Sequence, residues 1–520
     1  MNRHQKHHLA PSVALYSTAQ IKNIEKAFAE ESQYGTYGLM KKAGGIVFDQ
    51  LICSWPDARK ILVLTGKGNN AGDGFIFVRL AAERRLKITL CCLAEPSKLK
   101  GDALQAYNKI PQRVIQKESF EQLDYSQFDV IVDAMLGTGI KGKLQPPYLS
   151  VIKKINAANV PVLAIDIPTG VEADTGFVFS DAVQANLTVT FVGHKKGLYT
   201  ADSARYRGRV KCFDLDIPNR FYQQHEFHLF SQNWQSLKYL LQPRSMVSHK
   251  GLFGHTLIIG GSKGMSGAAI LAATAAARCG SGLTSAWVGK ECALALISYT
   301  PEVMTLAIDD CEIEKLVQNE SFLRQVVVIG PGLGQSEKSD SWLSILSNVT
   351  SDKKIHSKNT PQVWDADALN WLAKQSASHH NKKNHCRILT PHPGEAARLL
   401  NMTTFEINQD RYLAARQIAE TYGGVCVLKG AGTIIADDKG FQVVCSVGNP
   451  GMASGGMGDV LAGIIGSLLA QGYSLMNAAM LGVCIHGEAA DLAAGKNEHY
   501  RGLLASDLFK HFPSLLNPKH

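Results

Sequence analysis

The sequence contains no C-x-x-C pair, no apolar run near the ~18 residues that a membrane-spanning helix needs, and no basic stripe interleaved with aromatics. Its eleven cysteines are odd in number and irregularly spaced. Zinc ribbons and a secreted disulfide framework are therefore excluded, and reduced thiols are expected. The start, MNRHQKHHLAPSVALYS, lacks the apolar centre of a signal peptide. His4, His7 and His8 read as a polar tail rather than a metal site. The net charge of +9 comes from 54 basic and 45 acidic residues, scattered in short groups such as Lys41-Lys42, Arg84-Arg85 and Lys195-Lys196. That distribution argues against nucleic acid but suits anionic small molecules. The expectation is a soluble, cytoplasmic protein with neither a membrane nor a nucleic-acid partner.

What the sequence does contain is glycine, 47 of 520 residues. The glycines cluster as GKGNNAGDG, GGSKGMSG, GPGLG, KGAG and GNPGMASGGMGD, with no collagen-like period. Such clusters mark backbone that approaches a ligand closely. With 45% hydrophobic and 19% charged residues the chain should pack, and its length exceeds one core.

In the first half, apolar runs at Ile61–Leu64, Ile88–Leu90, Val130–Val132, Val162–Ile165 and Leu187–Phe191 read as strands. Asp73–Arg84 and Lys100–Lys109 have helical spacing, and Thr18–Glu31 reads as a helix with Thr18 as its N-cap. The polar, aromatic stretch at 219–233 breaks the pattern, which places a boundary between 1–225 and 226–520. Beyond it, strands are expected at Thr256–Ile259, Val326–Ile329, Val363–Trp364, Arg387–Leu389 and Val425–Leu428, with a small-residue helix from Asp459. Residues 351–359 read as a polar surface loop. Both halves are α/β with parallel sheets.

Gly66–Gly74 follows a strand and opens a helix, a G-x-G-x-x-A pattern whose helix start suits a phosphate. Asn69, Asn70 and Asp73 add oxygen ligands or sugar contacts. Two more strands end in Asp133-Ala-Met-Leu-Gly-Thr-Gly139 and Asp166-Ile-Pro-Thr-Gly170. Strand ends of a parallel sheet line the ligand crevice, so three polar clusters should converge there.

With Leu39-Met-Lys-Lys-Ala-Gly44 and His194-Lys-Lys-Gly-Leu198, these motifs resemble the epimerase domain of NAD(P)H-hydrate repair enzymes over about 15–218. The resemblance implies a Rossmann-like, doubly wound parallel sheet and a potassium ion held by Asn70, Asp133 and Thr169; all-oxygen ligands suit such a hard cation. It also puts Asn69, Asn70, Ala71, Gly72 and Asp73 on the dinucleotide, with Gly137, Thr138, Gly139, Ile140, Lys141, Gly142 and Lys143. Asp166 would face the nicotinamide ring as the base, with Lys141 as a partner or else a solvated loop charge. Ala71, Lys41 and Thr169 replace a usual Gly, Glu and Ser, and only Ala71 bears on loop geometry.

In the second half, Gly260–Gly267 lies between a strand and an Ala-rich helix and lacks a P-loop ending. Ser454-Gly-Gly-Met-Gly-Asp-Val-Leu461 leaves several N–H groups free before a helix, an anion hole for a transferring phosphoryl group. Asp459 can take a proton from an attacking hydroxyl, or simply cap the helix. Lys429-Gly-Ala-Gly-Thr433 suits a nucleotide, and Thr390-Pro-His-Pro-Gly-Glu395 holds His392 and Glu395 in a Pro-constrained turn.

Together with His249–Gly254, GPGLG and Asp365-Ala-Asp-Ala-Leu369, this set resembles the ribokinase-like superfamily, and within it the NAD(P)H-hydrate dehydratases, over about 240–515. The resemblance implies that Lys429, Gly430, Ala431, Gly432, Thr433 and Gly458 contact ADP or ATP. Ala268, Gly332, His392 and Asp459 would face the hydrate. Magnesium bridging the phosphates is implied too, with Glu395 orienting it. ADP is preferred because the fused arrangement looks bacterial; homo-oligomers are common among such dehydratases. Two consecutive steps on NADHX or NADPHX would thus share one chain. A ribokinase-type small-molecule kinase with a cofactor-binding first domain is the rival enzyme, and a non-catalytic nucleotide-binding scaffold the rival outside enzymes.

Overall fold

The computed structural model describes residues 13–117, 120–224, 228–308, 313–317, 322, 325–351, 360–375, 383–495 and 499–518. The boundary expected at 225/226, the histidines of the N-terminal tail and residues 352–359 of the expected loop lie outside them, while Ser351, expected as its first residue, instead ends a helix over Glu337–Ser351. The described residues divide into two compact units, with Val13–Leu229 in one and Phe230 onwards in the other.

The first unit is built on seven parallel strands: β1 (Lys60–Thr65), β2 (Lys87–Cys92), β3 (Ile115–Lys117), β4 (Val130–Ala134), β5 (Val162–Ile165), β6 (Leu187–Phe191) and β7 (Arg209–Phe213). Their order across the sheet is β3-β2-β1-β4-β5-β6-β7. Chain order reverses beside β1, a doubly wound arrangement that opens its crevice at the strand C-termini. The central strands are buried on both faces, as a sheet covered by helices requires. Helix α1 (Thr18–Glu31) starts at Ser17, not Thr18: Ser17 and Gln20 form a reciprocal capping box, which frees Thr18 to bond Asp174. Helix α2 (Gly35–Ser54) and helix α3 (Asn69–Glu83) cover one face of the sheet. A short ribbon pairs Val13–Tyr16 with His194–Lys195 in parallel.

The second unit carries β8 (His255–Gly260), β9 (Leu283–Val288), β10 (Met304–Ala307), β11 (Val326–Ile329), β12 (Gln362–Trp364), β13 (Arg387–Leu389), β14 (Val425–Leu428), β15 (Thr433–Asp437) and β16 (Gln442–Cys445). They run β10-β9-β8-β11-β12-β13-β14 in parallel, and β15 and β16 follow as antiparallel strands beyond β14. Helix α4 (Ser266–Arg278) lies against helix α6 (Met457–Ala470) so closely that a Cβ on Gly463 would stand 2.2 Å from the Ala272 carbonyl oxygen. Small residues on both helices are the condition for that approach. Both units are α/β with parallel sheets.

Candidate active sites

In the first unit three loops leave the C-terminal ends of the neighbouring strands β1, β4 and β5 and meet. A Cβ on Gly66 would strike the Met135 carbonyl at 2.1 Å, so the loop after β1 lies directly on the loop after β4. Asn70 Nδ2 donates to the Leu136 carbonyl at 3.2 Å, while Asn70 Oδ1 is buried with no hydrogen-bond partner. Asp133 is fully buried. Its Oδ2 accepts from the Thr169 N–H and its Oδ1 from the Thr169 hydroxyl, each at 2.8 Å, and Oδ1 also accepts from Met135 N at 3.2 Å. Burial pushes the Asp133 carboxyl up to about 6 against those donors. Asn70 Oδ1, Asp133, Thr169 Oγ1 and the Leu136 carbonyl thus form a small oxygen-rich cluster beneath a cavity of about 660 Å³.

Asp166 holds a left-handed backbone, φ 67°, at the end of β5. Its Oδ1 accepts from Lys195 Nζ, from Thr190 Oγ1 at 3.1 Å and from Phe191 N at 3.4 Å. Lys195 is almost fully buried and donates also to Thr190 Oγ1 and the Phe191 carbonyl, each at 3.0 Å. All three ammonium protons are therefore used within the protein.

In the second unit the centre is Lys429 at the end of β14. Its Nζ lies 2.7 Å from Asp365 Oδ1 and 3.8 Å from Glu395 Oε2. Burial pulls the Lys429 ammonium down, but the Asp365, Glu395 and Asp459 carboxylates outweigh it and the net direction is up. A Cβ on Gly458 would stand 3.2 Å from Lys429 Nζ and 3.6 Å from Asp365 Oδ2, so this lysine sits over the start of α6. Asp459, in the first turn of α6, is pushed up to about 7 by burial and by Asp365, against the pull of Lys429. Gly456, the residue before α6, has φ 88° and a Cβ there would meet Leu271 at 2.5 Å; only glycine fits.

His392 is the N-cap of α5 (Pro393–Leu400). Its Nδ1 accepts from Gly394 N at 3.0 Å and Glu395 N at 3.3 Å, while its own N–H donates to Glu395 Oε2 at 2.8 Å. An accepting Nδ1 means a neutral ring with its proton on Nε2, and burial together with Lys429 lowers the imidazole in the same direction. The cap and the ring expected to face the hydrate are thus one residue.

A family model described as NAD(P)H-hydrate dehydratase matches residues 256–514, and one described as YjeF-related protein N-terminus matches 36–197. The chain is 43% identical over 504 residues to the bifunctional NAD(P)H-hydrate repair enzyme Nnr of Coxiella burnetii, covering 97% of this chain and 99% of that protein. It is 38% identical to the Escherichia coli protein of the same name, covering 96% and 93%. The chain belongs to the bifunctional NAD(P)H-hydrate repair enzyme family. Among solved structures, the ADP/ATP-dependent NAD(P)H-hydrate dehydratase of Bacillus subtilis, co-crystallized with ATP/Mg2+, is 28% identical, covering 54% of this chain and 96% of that one, with a TM-score of 0.47.

Within this family frame, the site residues expected from sequence fall into clear places. Asn69, Asn70, Asp73, Gly137, Thr138, Gly139, Ile140, Lys141, Gly142, Lys143 and Asp166 line the first unit's cavity. Ala71 and Gly72 do not: α3 already begins at Asn69, so its third and fourth residues turn inward. Ala71 is fully buried outside the left-handed region, where its methyl costs nothing, and Gly72 backs onto the Met40 thioether. Lys141 stands exposed at the rim. In the second unit Gly332, at φ 61°, brings a would-be Cβ to 3.0 Å from Ala268 Cβ and 2.4 Å from the Met265 carbonyl, joining the two expected cleft residues. Gly430, at φ 142°, lies against the buried Arg411 guanidinium, whose Nη2 bonds the Lys429 carbonyl at 3.1 Å. Gly432 turns at φ 64°, Thr433 Oγ1 closes the loop onto the Gly430 carbonyl at 3.0 Å, and Ala431 is exposed at its tip.

Asp365 and Lys195 escaped the reading of individual residues. Asp365 directly follows the strand Gln-Val-Trp, Lys195 lies four residues beyond Leu-Thr-Val-Thr-Phe, and each is a charged residue buried against a charge of opposite sign. That combination was their signal.

Proposed function

We propose that the first unit interconverts the R and S epimers of NADHX and NADPHX, and that the second dehydrates the S form at the expense of ADP or ATP. The division is that of the two compact units, with the epimerase in the first and the dehydratase in the second. The observation that carries the dehydratase reading is Asp459, a carboxyl in the first turn of α6 beside Lys429, at a helix start whose N-cap is Gly456 with no side-chain cap.

Asp459 takes the proton of the ring hydroxyl as that oxygen attacks the terminal phosphoryl group. Lys429, with the Lys429–Thr433 loop and Gly458, holds the nucleotide. Ala268, Gly332 and His392 hold the hydrate, with Nε2–H of His392 as the donor. Converting hydroxyl to phosphate makes it a leaving group; expulsion of phosphate then regenerates the reduced nicotinamide. No three His, Cys, Asp or Glu side chains gather to hold a metal among the described residues. Magnesium would accordingly be bound chiefly by the nucleotide phosphates, with at most one or two carboxylates such as Glu395, the usual pattern for this ion.

In the first unit Asp166 is the base at the hydrated carbon, with the phosphates over Asn69–Asp73 and the 137–143 loop. The oxygen cluster fits potassium, because Asn70 Oδ1 is a buried acceptor with nothing to accept from. Asn70, Asp133 and Thr169 would hold the ion, which would neutralise phosphate charge at the cavity floor. No helix among the described residues is long and apolar enough to cross a membrane. A cytoplasmic homo-oligomer working on small molecules is the setting we assign.

Mixed epimers supplied with ADP, then with ATP, test the whole reading. Recovery of reduced nicotinamide from both epimers supports it, and a stable phosphorylated product without reduced cofactor favours the ribokinase-type rival.

A further inference from the structure

Four carboxyl groups, not one, line the first unit's cavity: Glu25, Asp73, Asp102 and Asp166. Asp102 is taken up by the Thr36 hydroxyl, which donates to its Oδ2. Helix α1 presents Thr18, Ile21, Lys22 and Glu25 to it, residues three and four apart and hence on one face. The start of that helix is pinned, since Thr18 N and Oγ1 both donate to Asp174 at 2.8 Å, so the Glu25 side chain hangs from a fixed frame. Yet the Glu25 carboxyl itself takes no hydrogen bond and no ion pair among the described residues, although it is half-buried. Asp166 is the opposite case. Lys195, Thr190 and Phe191 all donate to its Oδ1, and Asp166 lines the cavity with Oδ2 outside that set of bonds.

Epimerisation needs two proton-handling groups. The hydrated carbon carries a hydroxyl and the ring nitrogen, and the hydroxyl leaves only as water. The exposed Lys141 at the cavity rim is poorly placed for that task beside a half-buried carboxyl within the cavity. We propose that Glu25 is the acid of the epimerisation, working with Asp166 as the base. The proposal rests on the epimerase reading above.

Protonated Glu25 gives its proton to the hydroxyl. The carbon–oxygen bond breaks, water departs and the nitrogen lone pair forms the carbon–nitrogen double bond. Water then adds to the other face of that cation, and its surplus proton goes to Asp166 Oδ2. Return of one proton from Asp166 to Glu25 through solvent closes the cycle, with no oxidant, reductant or other reactant. Lys195 is a positioning residue, fixing Asp166 so that Oδ2 is the free oxygen. The electrostatics agree: burial pushes Glu25 up to about 7, with Asp166 raising it further and Lys195 and Lys22 opposing. Asp73 and Tyr222 also feel its charge.

The test uses the full chain, separated epimers and no nucleotide. Wild-type protein that fails to interconvert them removes the epimerase reading itself. Given that activity, Glu25→Gln is expected to lose about 100-fold or more in kcat, with KM and nucleotide-driven dehydration of the S epimer unchanged. Glu25→Asp should recover part of the rate with its high-pH limb displaced. Wild-type kcat in Glu25→Gln, or a loss confined to KM, overturns the proposal. Should Glu25→Gln fail to fold, Glu25→Asp decides alone: a displaced high-pH limb supports the proposal and an unchanged profile overturns it.

Discussion

Lys429 Nζ lies 2.7 Å from Asp365 Oδ1, and the carboxyl it holds is almost wholly buried. With Glu395 at 3.8 Å the ammonium serves two acids at once. Lys429→Met leaves both buried charges without compensation, and such a break costs about 3 kcal/mol or more. A lowered urea midpoint for the second unit checks it. Replacing Asp365 by Asn as well should restore part of the loss, because the remaining buried charge is then reduced.

Asp459→Asn should abolish dehydration, by about 100-fold or more in kcat, and leave epimerisation untouched. Separate assays of the two half-reactions on one preparation provide the comparison. A base works when ionised, so wild-type dehydration should rise with pH through about 7, the value to which burial and Asp365 push this carboxyl.

The same shift bears on stability. A carboxyl raised from 3.8 to about 7 on folding favours the folded state at low pH and withdraws that favour as pH climbs through its folded value. Asp459→Asn removes the withdrawal. Thermal melts should therefore show a gain for the variant at about pH 8 and little or none at about pH 4.

His392 is both cap and candidate ligand. His392→Ala should cost about 1 kcal/mol, the usual worth of an N-cap, and His392→Asn should return most of it. Dehydration recovering in step with stability in the Asn variant would make the ring structural. Stability recovering alone, with dehydration still slow, assigns the Nε2 proton to the hydrate.

Much of this architecture was legible in the chain. Val162–Ile165, Leu187–Phe191, Val326–Ile329 and Val425–Leu428 coincide with strands, because buried parallel strands read as unbroken apolar runs. Helix starts were harder. Asn69 begins α3 and Met457 begins α6, earlier than periodicity suggests, since glycine-rich first turns carry no apolar signal. The antiparallel strands Thr433–Asp437 and Gln442–Cys445 went unread, as did Met304–Ala307, whose side chains are largely exposed. The glycine clusters coincide with loops at strand ends, but they say nothing about what fills the space behind them. Asp365 and Lys195 matter through partners distant in sequence, 64 and 29 residues away, and pairing at that range is fixed by the sheet order rather than by any local pattern.

Asn70 Oδ1 is a buried oxygen with nothing to accept from, and its loss should be felt as an altered response to cations. Asn70→Ala is expected to blunt the gain in epimerisation on adding potassium while leaving dehydration of the S epimer unchanged. Titration with potassium against an inert large cation at constant ionic strength checks it.

The most direct measurement follows a racemised hydrate through to reduced nicotinamide in one vessel with ADP or ATP. The wild-type chain is predicted to convert both epimers completely. Asp166→Asn should stop once the S form is spent, and Asp459→Asn should yield none. Complete conversion by Asp166→Asn, or a phosphorylated hydrate that accumulates in place of reduced cofactor, would contradict the account.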